Sequence, residues 1–229
     1  MPALRIIGSY LSPYVRKVLA CLDLKGLAYQ IDPIVPFMGD DRFTQLSPLR
    51  RVPVLVDDRV TLADSTVICQ YLEDRYPTPA LYPTDVADRA RARWLEEYAD
   101  SRMGDVFIWG LYNHAVIAPA VWGTPRDLAA IQRITAEEIP PLLDYLESQV
   151  PAEGFLFGTL GIADISIAVF LRNAAFARYT VDPTRWPLTA RYADRMLAQE
   201  CFVKLQPFEA LMLRTRIPDQ RAALAAAGA

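Results

Sequence analysis

Between Arg50 and Tyr76 the chain changes its pattern, and that change most limits what it can fold into. Val52 to Val56 is a short apolar run rich in β-branched residues and reads as a strand. Asp57-Asp58-Arg59 supplies a polar turn and Val60-Thr61-Leu62 a second short strand, so the two make a hairpin. After Ala63 the spacing of Val67, Ile68, Tyr71 and Leu72 becomes helical, and Pro77 ends the run. Asp64 and Ser65 therefore stand where that helix begins. Pro53 cannot donate to a sheet ladder, so it belongs at an edge, a bulge or the first residue of a strand. The residue before a proline prefers extended geometry, which exposes the N–H and C=O of Val52. Such a backbone can take up a peptide as an added strand, and the free N–H groups of a helix start can hold a carboxylate. The same residues also fit an edge-strand proline beside an ordinary helix cap.

Upstream, Leu4 to Ile7 is an apolar strand, followed by Gly8-Ser9-Tyr10-Leu11. Ser12-Pro13 opens a helix, since Ser is a favoured cap and Pro is favoured at the first helical position. Val15, Val18, Leu19 and Leu22 form its apolar stripe, and Gly26 stops it. Tyr29 to Ile34, interrupted by Pro33, is a strand leaning towards an edge, and Phe43 to Leu46 a short helix. The order β-α-β-α-β-β-α gives a mixed sheet with helices on it. The proline-rich segment from Tyr76 to Thr84 ends the alternation. The expected division is residues 1–78 as an α/β domain, 79–85 as linker and 86–229 as an all-α domain.

In the helical part, a long helix runs from Val86 to about His114, and Pro119 and Gly123 interrupt. Thr124-Pro125 starts another, with a kink or break expected at Pro140-Pro141. Ile162 to Phe176 is apolar nearly all round and belongs at a domain centre. Gly161 takes its cap position and Asp164 its third helical position, with Leu160 and Ile165 placed as a hydrophobic staple. Trp186 to Ala198 and Phe202 to Met212 make two further helices, and the Ala-rich tail after Pro218 is expected to be loosely held.

Composition narrows the function classes. The net charge of −3 argues against a nucleic-acid binder. Cys21, Cys69 and Cys201 are odd in number and far apart, so no disulfide framework and no metal site is expected; Cys21 and Cys69 fit as small buried hydrophobes. His114 is the single histidine, a poor basis for a Ser-His-Asp hydrolase or a histidine metal cluster. No apolar run reaches about eighteen residues and no basic-then-apolar leader is present, so the expectation is a cytoplasmic protein that does not enter a membrane.

The Val52-Pro53 strand opening, the hairpin and the Asp64-Ser65 helix start resemble the glutathione-binding half of the cytosolic glutathione S-transferase family, in a serine-type, bacterial-like form. The resemblance implies a thioredoxin-like N-terminal domain with a mixed four-stranded sheet, followed by the all-α C-terminal domain. It implies that Pro53 is cis, that Val52 pairs with the cysteinyl backbone of glutathione and that Asp64 and Ser65 hold its γ-glutamyl end. The family usually carries Glu where this chain has Asp64. Of the basic pair Arg50 and Arg51, the family pattern favours Arg51 as the partner of the glycine carboxylate, a role a solvated basic turn equally fits. Asp164 resembles the family's capping box, with Gly161 in place of the usual Ser or Thr, and is read as a folding residue.

For chemistry the candidate is Ser12, besides its cap role: a hydroxyl at a helix N-terminus can donate to a sulfur anion and lower a thiol pKa that is otherwise near 8.5. The resemblance assigns this role to the start of the first helix; Ser9 and Tyr10 remain alternatives within the same turn. No cysteine occupies that turn, which counts against members that exchange disulfides. Phe107, Trp109, Tyr112, His114 and Trp122 lie where the family builds its second-substrate site, and Trp109, Tyr112 and His114 are the candidates for it; aromatics at such spacing also make ordinary core. The activity implied is a glutathione transferase: glutathione as cosubstrate, a small electrophile as partner, a role in detoxification, no metal, and a homodimer. The alternatives are a non-catalytic binding or regulatory protein on this fold, and a glutathione-dependent isomerase or dehalogenase.

Overall fold

β1 (Leu4–Ile7) lies inside a four-stranded sheet of order β2-β1-β3-β4, in a computed structural model that describes residues 4–228. β2 (Tyr29–Asp32) runs parallel to β1 at one edge; β3 (Val54–Val56) and β4 (Thr61–Ala63) run antiparallel on the other side. This is the mixed sheet with helices that the sequence leads one to expect. Around it come α1 (Pro13–Leu24), α2 (Asp41–Leu46) and α3 (Ser65–Arg75). Ile6, Val54 and Leu55 of the sheet, Val15, Val18, Leu19 and Leu22 of α1, and Ile68 and Leu72 of α3 are all fully buried. Each such side chain contributes about 1.5–3 kcal/mol relative to exposure. Cys21 of α1 and Cys69 of α3 are buried thiols that form no disulfide, with their sulfurs 3.7 Å apart.

The chain forms two units. The first runs to Leu81 and also takes in the segment from Gln199 onward; the second is Tyr82–Ala198. The stretch expected as one helical domain, 86–229, is thus divided, because its last part packs on the sheet unit. There the expected single helix Phe202 to Met212 is two, α9 (Glu200–Val203) and α10 (Gln206–Arg214), with Pro207 at the start of the second. The tail is also more ordered than its alanines suggest. α11 (Gln220–Ala226) buries Leu224, Gln220 donates to the carbonyls of Met212 and Thr215, and Arg221 pairs with Asp32 at 2.7 Å.

In the second unit α4 (Val86–Tyr98) continues without a break into a wider helix, Ala99–Trp122, of the i→i+5 type. It passes Pro119 and stops at Gly123, whose φ of 66° suits a residue without Cβ. The next helix, α5 (Leu128–Arg133), is capped by Asp127 and not by Thr124, since the Asp127 carboxylate accepts from the Ala130 N–H at 2.9 Å. A single wide turn, Ile134–Glu138, then leads into α6 (Ile139–Gln149), which places Pro140 and Pro141 in its first turn, where a missing N–H removes no helical bond. The expected disruption is absorbed there. α7 (Ile162–Phe176) is buried along nearly its whole length, and α8 (Pro187–Leu197) follows. At the start of α7 Asp164 is fully buried. Its carboxylate accepts from the N–H groups of Leu156 and Gly161 and from the Tyr192 hydroxyl at 2.7 Å. Gly161 offers no side chain in return, so only half of the capping box exists.

Candidate functional site

Strand register brings three separate stretches to one end of the sheet. Ile7 pairs with Val54, and Val54 with Ala63. The residues one step beyond each strand end are therefore Gly8, Pro53 and Asp64, side by side along the same edge. The turn after β1 closes tightly there. Gly8 has φ of +154°, and a Cβ on it would lie 2.4 Å from Cγ2 of Val15 and 3.3 Å from Cβ of Val52. Only a glycine lets the turn enter between the first turn of α1 and Val52.

Ser12 caps α1. Its backbone is extended (φ −78°, ψ 126°), and its Oγ accepts from the Val15 N–H at 3.4 Å. The residue is half-buried. A hydroxyl that accepts still has its own hydrogen to donate. Ser9 and Tyr10 are placed differently. Ser9 is buried, accepts from the Leu11 N–H and points its hydroxyl at Sδ of Met212, 3.7 Å away. Tyr10 is buried with its ring stacked on Phe208 at 5.0 Å, and burial together with the charge of Asp23 pushes its phenol up to about 12. Among the three, Ser12 is the hydroxyl with least commitment to the interior.

The Val52–Pro53 peptide bond is cis, and Val52 lies beyond the paired end of β3. Ser47 fixes the approach to it: its hydroxyl donates to the Arg51 carbonyl at 2.8 Å and accepts from the Arg51 N–H at 3.0 Å. The two arginines divide. Arg50 spends its guanidinium on the Thr44 hydroxyl and the Gly39 carbonyl, whereas the exposed Arg51 is held only through its backbone.

Asp64 caps α3 from a left-handed conformation, φ 85° and ψ 127°. A non-glycine residue held there costs about 1–3 kcal/mol, and such residues gather at ligand clamps. Its Oδ1 takes the N–H groups of both Thr66 and Val67, at 2.9 and 3.2 Å. Oδ2 of this exposed residue is left available. Ser65, buried at the first helical position, keeps an N–H without an intrahelical acceptor. Beneath the same helix start lies Lys17, fully buried, with Nζ 3.0 Å from Oγ1 of Thr66.

The aromatic candidates in the helical unit do not form one group. Residues five apart share a side of an i→i+5 helix, so Trp109 and His114 lie on one side and Tyr112 on another. Trp109 is 52% exposed, while Tyr112 is 5% exposed with its ring against Phe176. His114 is partly exposed, its Nδ1 4.0 Å from Oδ2 of Asp127. Phe107 is fully buried core and Trp122 is exposed. Among the described residues no cluster of three or more His, Cys, Asp or Glu could hold a metal ion, and no helix is long and apolar enough to cross a membrane.

Sequence reasoning passed over Gly8, Arg16 and Lys17. Gly8 has a readable signal, a glycine directly between a strand and a capped helix. The two basic residues carry none, because their side-chain partners, Glu209 and Thr66, are remote in the chain.

Residues 6–80 match the glutathione S-transferase N-terminal domain family and residues 129–195 the glutathione S-transferase C-terminal domain family. An uncharacterized GST-like protein, YibF, of Escherichia coli (strain K12) is 30% identical over 209 residues, spanning 89% of this chain and 98% of that one. A maleylacetoacetate isomerase of Pseudomonas aeruginosa is 31% identical over 212 residues, 89% of this chain and 96% of the relative. The solved glutathione S-transferase from Rhodospirillum rubrum F11 superposes with a TM-score of 0.81 at 26% identity, covering 88% of this chain and 91% of its own. The chain belongs to the glutathione S-transferase family.

Proposed function

We propose that the protein is a cytoplasmic glutathione transferase of the serine type, which activates the thiol of bound glutathione for attack on a small electrophile. The observation that carries this reading is the convergence at one sheet end of a helix-capping hydroxyl, an unpaired strand opening and an acidic helix cap. In this reading Val52 pairs with the cysteinyl backbone of glutathione beside Pro53. Asp64 Oδ2 takes the γ-glutamyl amine, and the Ser65 N–H and hydroxyl take its carboxylate. Arg51, whose guanidinium is uncommitted, takes the glycine carboxylate. The Ser12 hydroxyl donates to the sulfur. A free thiol is only a few per cent ionised at neutral pH, so one donor and a helix N-terminus that favour the anion raise the reactive fraction directly. The sulfur then forms the new bond to an electrophilic carbon, and the enzyme itself makes none.

A second reading, a glutathione-dependent isomerase, is favoured by the 31% identity to a maleylacetoacetate isomerase over nearly its full length. In that case the same thiolate adds to the substrate and leaves again. Trp109 and His114, which share a helix side, are the proposed contacts for the second substrate, and Tyr112 shapes it from the core. Calorimetric titration with glutathione, then assays against aryl halides, epoxides and enones and for cis–trans isomerisation, test both readings. Failure to bind glutathione overturns them together. Isomerisation without conjugation selects the second, and tight binding without any turnover leaves a binding protein.

A further inference from the structure

The turn that carries Ser12 is supported by the last long helix of its own unit. Two buried side chains of that turn, Ser9 and Tyr10, meet α10. The Ser9 hydroxyl reaches Sδ of Met212, and the Tyr10 ring stacks on Phe208 with its plane inclined by 22°. Arg16, on the first full turn of α1, bridges both sides. Its Nε lies 2.5 Å from Oε1 of Glu209, and its NH2 donates to the Tyr10 carbonyl at 3.0 Å. Both charged side chains are almost wholly buried, at 1% and 2% exposure. The turn closes on itself through the Ser12 N–H, which donates to the Ser9 carbonyl at 3.0 Å. The path from α10 to Ser12 is thus continuous: Glu209, Arg16, the Tyr10 carbonyl, Ser9, Ser12.

We propose that α10 is a buttress for the Gly8–Ser12 turn, and that Arg16 and Glu209 are positioning residues for thiol activation. The proposal deepens the reading of Ser12 as the thiol's hydrogen-bond donor and rests on it. A buried ion pair is weak evidence for stability, since apolar residues of equal volume often serve as well. What the pair adds is direction. The planar fork of Arg16 fixes Glu209 and the Tyr10 carbonyl at once, which a lysine cannot do. A donor that must lie within hydrogen-bond reach of one sulfur is sensitive to such support, because displacement by about 1 Å can lower a rate about a hundredfold.

The test uses Glu209→Gln and Arg16→Lys in the full chain, with thermal midpoint, calorimetric glutathione affinity, thiolate absorbance against pH, kcat/KM against pH and amide hydrogen exchange. The expected result is folded protein with glutathione affinity within about twofold of wild type. The bound thiol pKa should rise by about one, so kcat/KM near neutral pH falls about tenfold and recovers at alkaline pH. Exchange at residues 8–12 should quicken. A thiol pKa, pH profile and turn exchange equal to wild type would overturn the buttress. If Glu209→Gln does not fold, Phe208→Leu and Met212→Leu touch the same turn without stranding a charge, and the same readings decide. If wild type does not lower the thiol pKa of glutathione, the function reading falls. In that case slow exchange in the turn that the variants leave unchanged overturns the buttress as well, and quickened exchange upholds the support of the turn by α10.

Discussion

At the residue scale, Ser12 and Tyr10 carry hydroxyls two residues apart, and their surroundings separate them. Tyr10 sits under Phe208 with its phenol pushed up to about 12, whereas Ser12 is half-buried with its hydrogen unassigned. Ser12→Ala is expected to raise the pKa of glutathione bound to the enzyme by about one to two, the worth of a hydrogen bond to a charged group of about 1.5–3 kcal/mol. Tyr10→Phe should leave that pKa unchanged. Thiolate absorbance against pH checks both, and a Tyr10→Phe effect larger than that of Ser12→Ala would move the donor role to Tyr10. Asp64 needs a subtler substitution, because alanine removes a helix cap worth about 0.5–2 kcal/mol along with any ligand contact. Asparagine caps nearly as well and has no charge. Asp64→Asn should therefore keep the melting temperature and weaken glutathione binding about tenfold by calorimetry, a step of about 1.4 kcal/mol. Affinity equal to wild type would confine Asp64 to capping. The types of these residues were readable from the sequence, since Ser-Pro and Asp-Ser announce helix starts. The left-handed φ of Asp64 and the burial of Arg16 and Lys17 were not, because each depends on what the fold brings against them.

Elements explain where reading by pattern succeeded and where it stopped. The β-α-β-α-β-β-α order and the apolar stripe of α1 are periodic signals within a short window, and the structure follows them. Caps supplied from elsewhere leave no such trace. α8 begins at Pro187 without a capping side chain of its own, and Glu147 of α6 fills the place, accepting from the N–H groups of Leu188 and Thr189 and from the Thr189 hydroxyl, all at 2.8 Å. Burial pushes the Glu147 carboxyl up, but these bonds and the charge of Arg191 outweigh it and hold the pKa below the ordinary 4.5. The sign follows by linkage. The unfolded chain takes up the proton first as pH falls, so the stabilisation from Glu147 is present above pH 4.5 and is lost as pH drops through the lower folded value. Glu147→Gln should lower stability near neutral pH by about 1.5–3 kcal/mol and flatten the acid limb of the stability–pH curve. Urea unfolding at a series of pH values reads this directly. An acid limb as steep as that of wild type would mean other carboxylates, Asp57 among them, carry it.

For the whole molecule the open quantity is assembly. The family resemblance implies a homodimer, and charge complementarity between the helix after Asp64 and the helix from Val86 would support one. The structure engages part of that charge within the chain. Glu73 accepts from Lys25 at 2.8 Å and from the Leu81 N–H, and Arg75 is held by Asp57 and Asp58. Arg93 lies over the Tyr82 ring and Arg91 over Phe157. These four side chains have contacts within one chain, whereas Asp74, which is exposed, and Arg89 show no ion pair of their own among the described residues. α3 and α4 also present exposed apolar side chains: Val67, Val86 and Trp94 are 45%, 72% and 56% exposed. We propose a two-fold dimer held mainly by such apolar surface, in which each contact occurs twice. Ionic contacts between exposed groups weaken once the Debye length shrinks to about 3 Å at 1 M salt, whereas apolar association does not. Light scattering should then give twice 25.7 kDa at both low and high salt. Val86→Glu and Trp94→Glu, which put charge on that surface, should shift the mass towards the single chain without unfolding it. Dissociation by salt alone would restore the ionic account. A mass of 25.7 kDa at every concentration would end the dimer and leave the glutathione site untouched, because every residue assigned to that site comes from one chain.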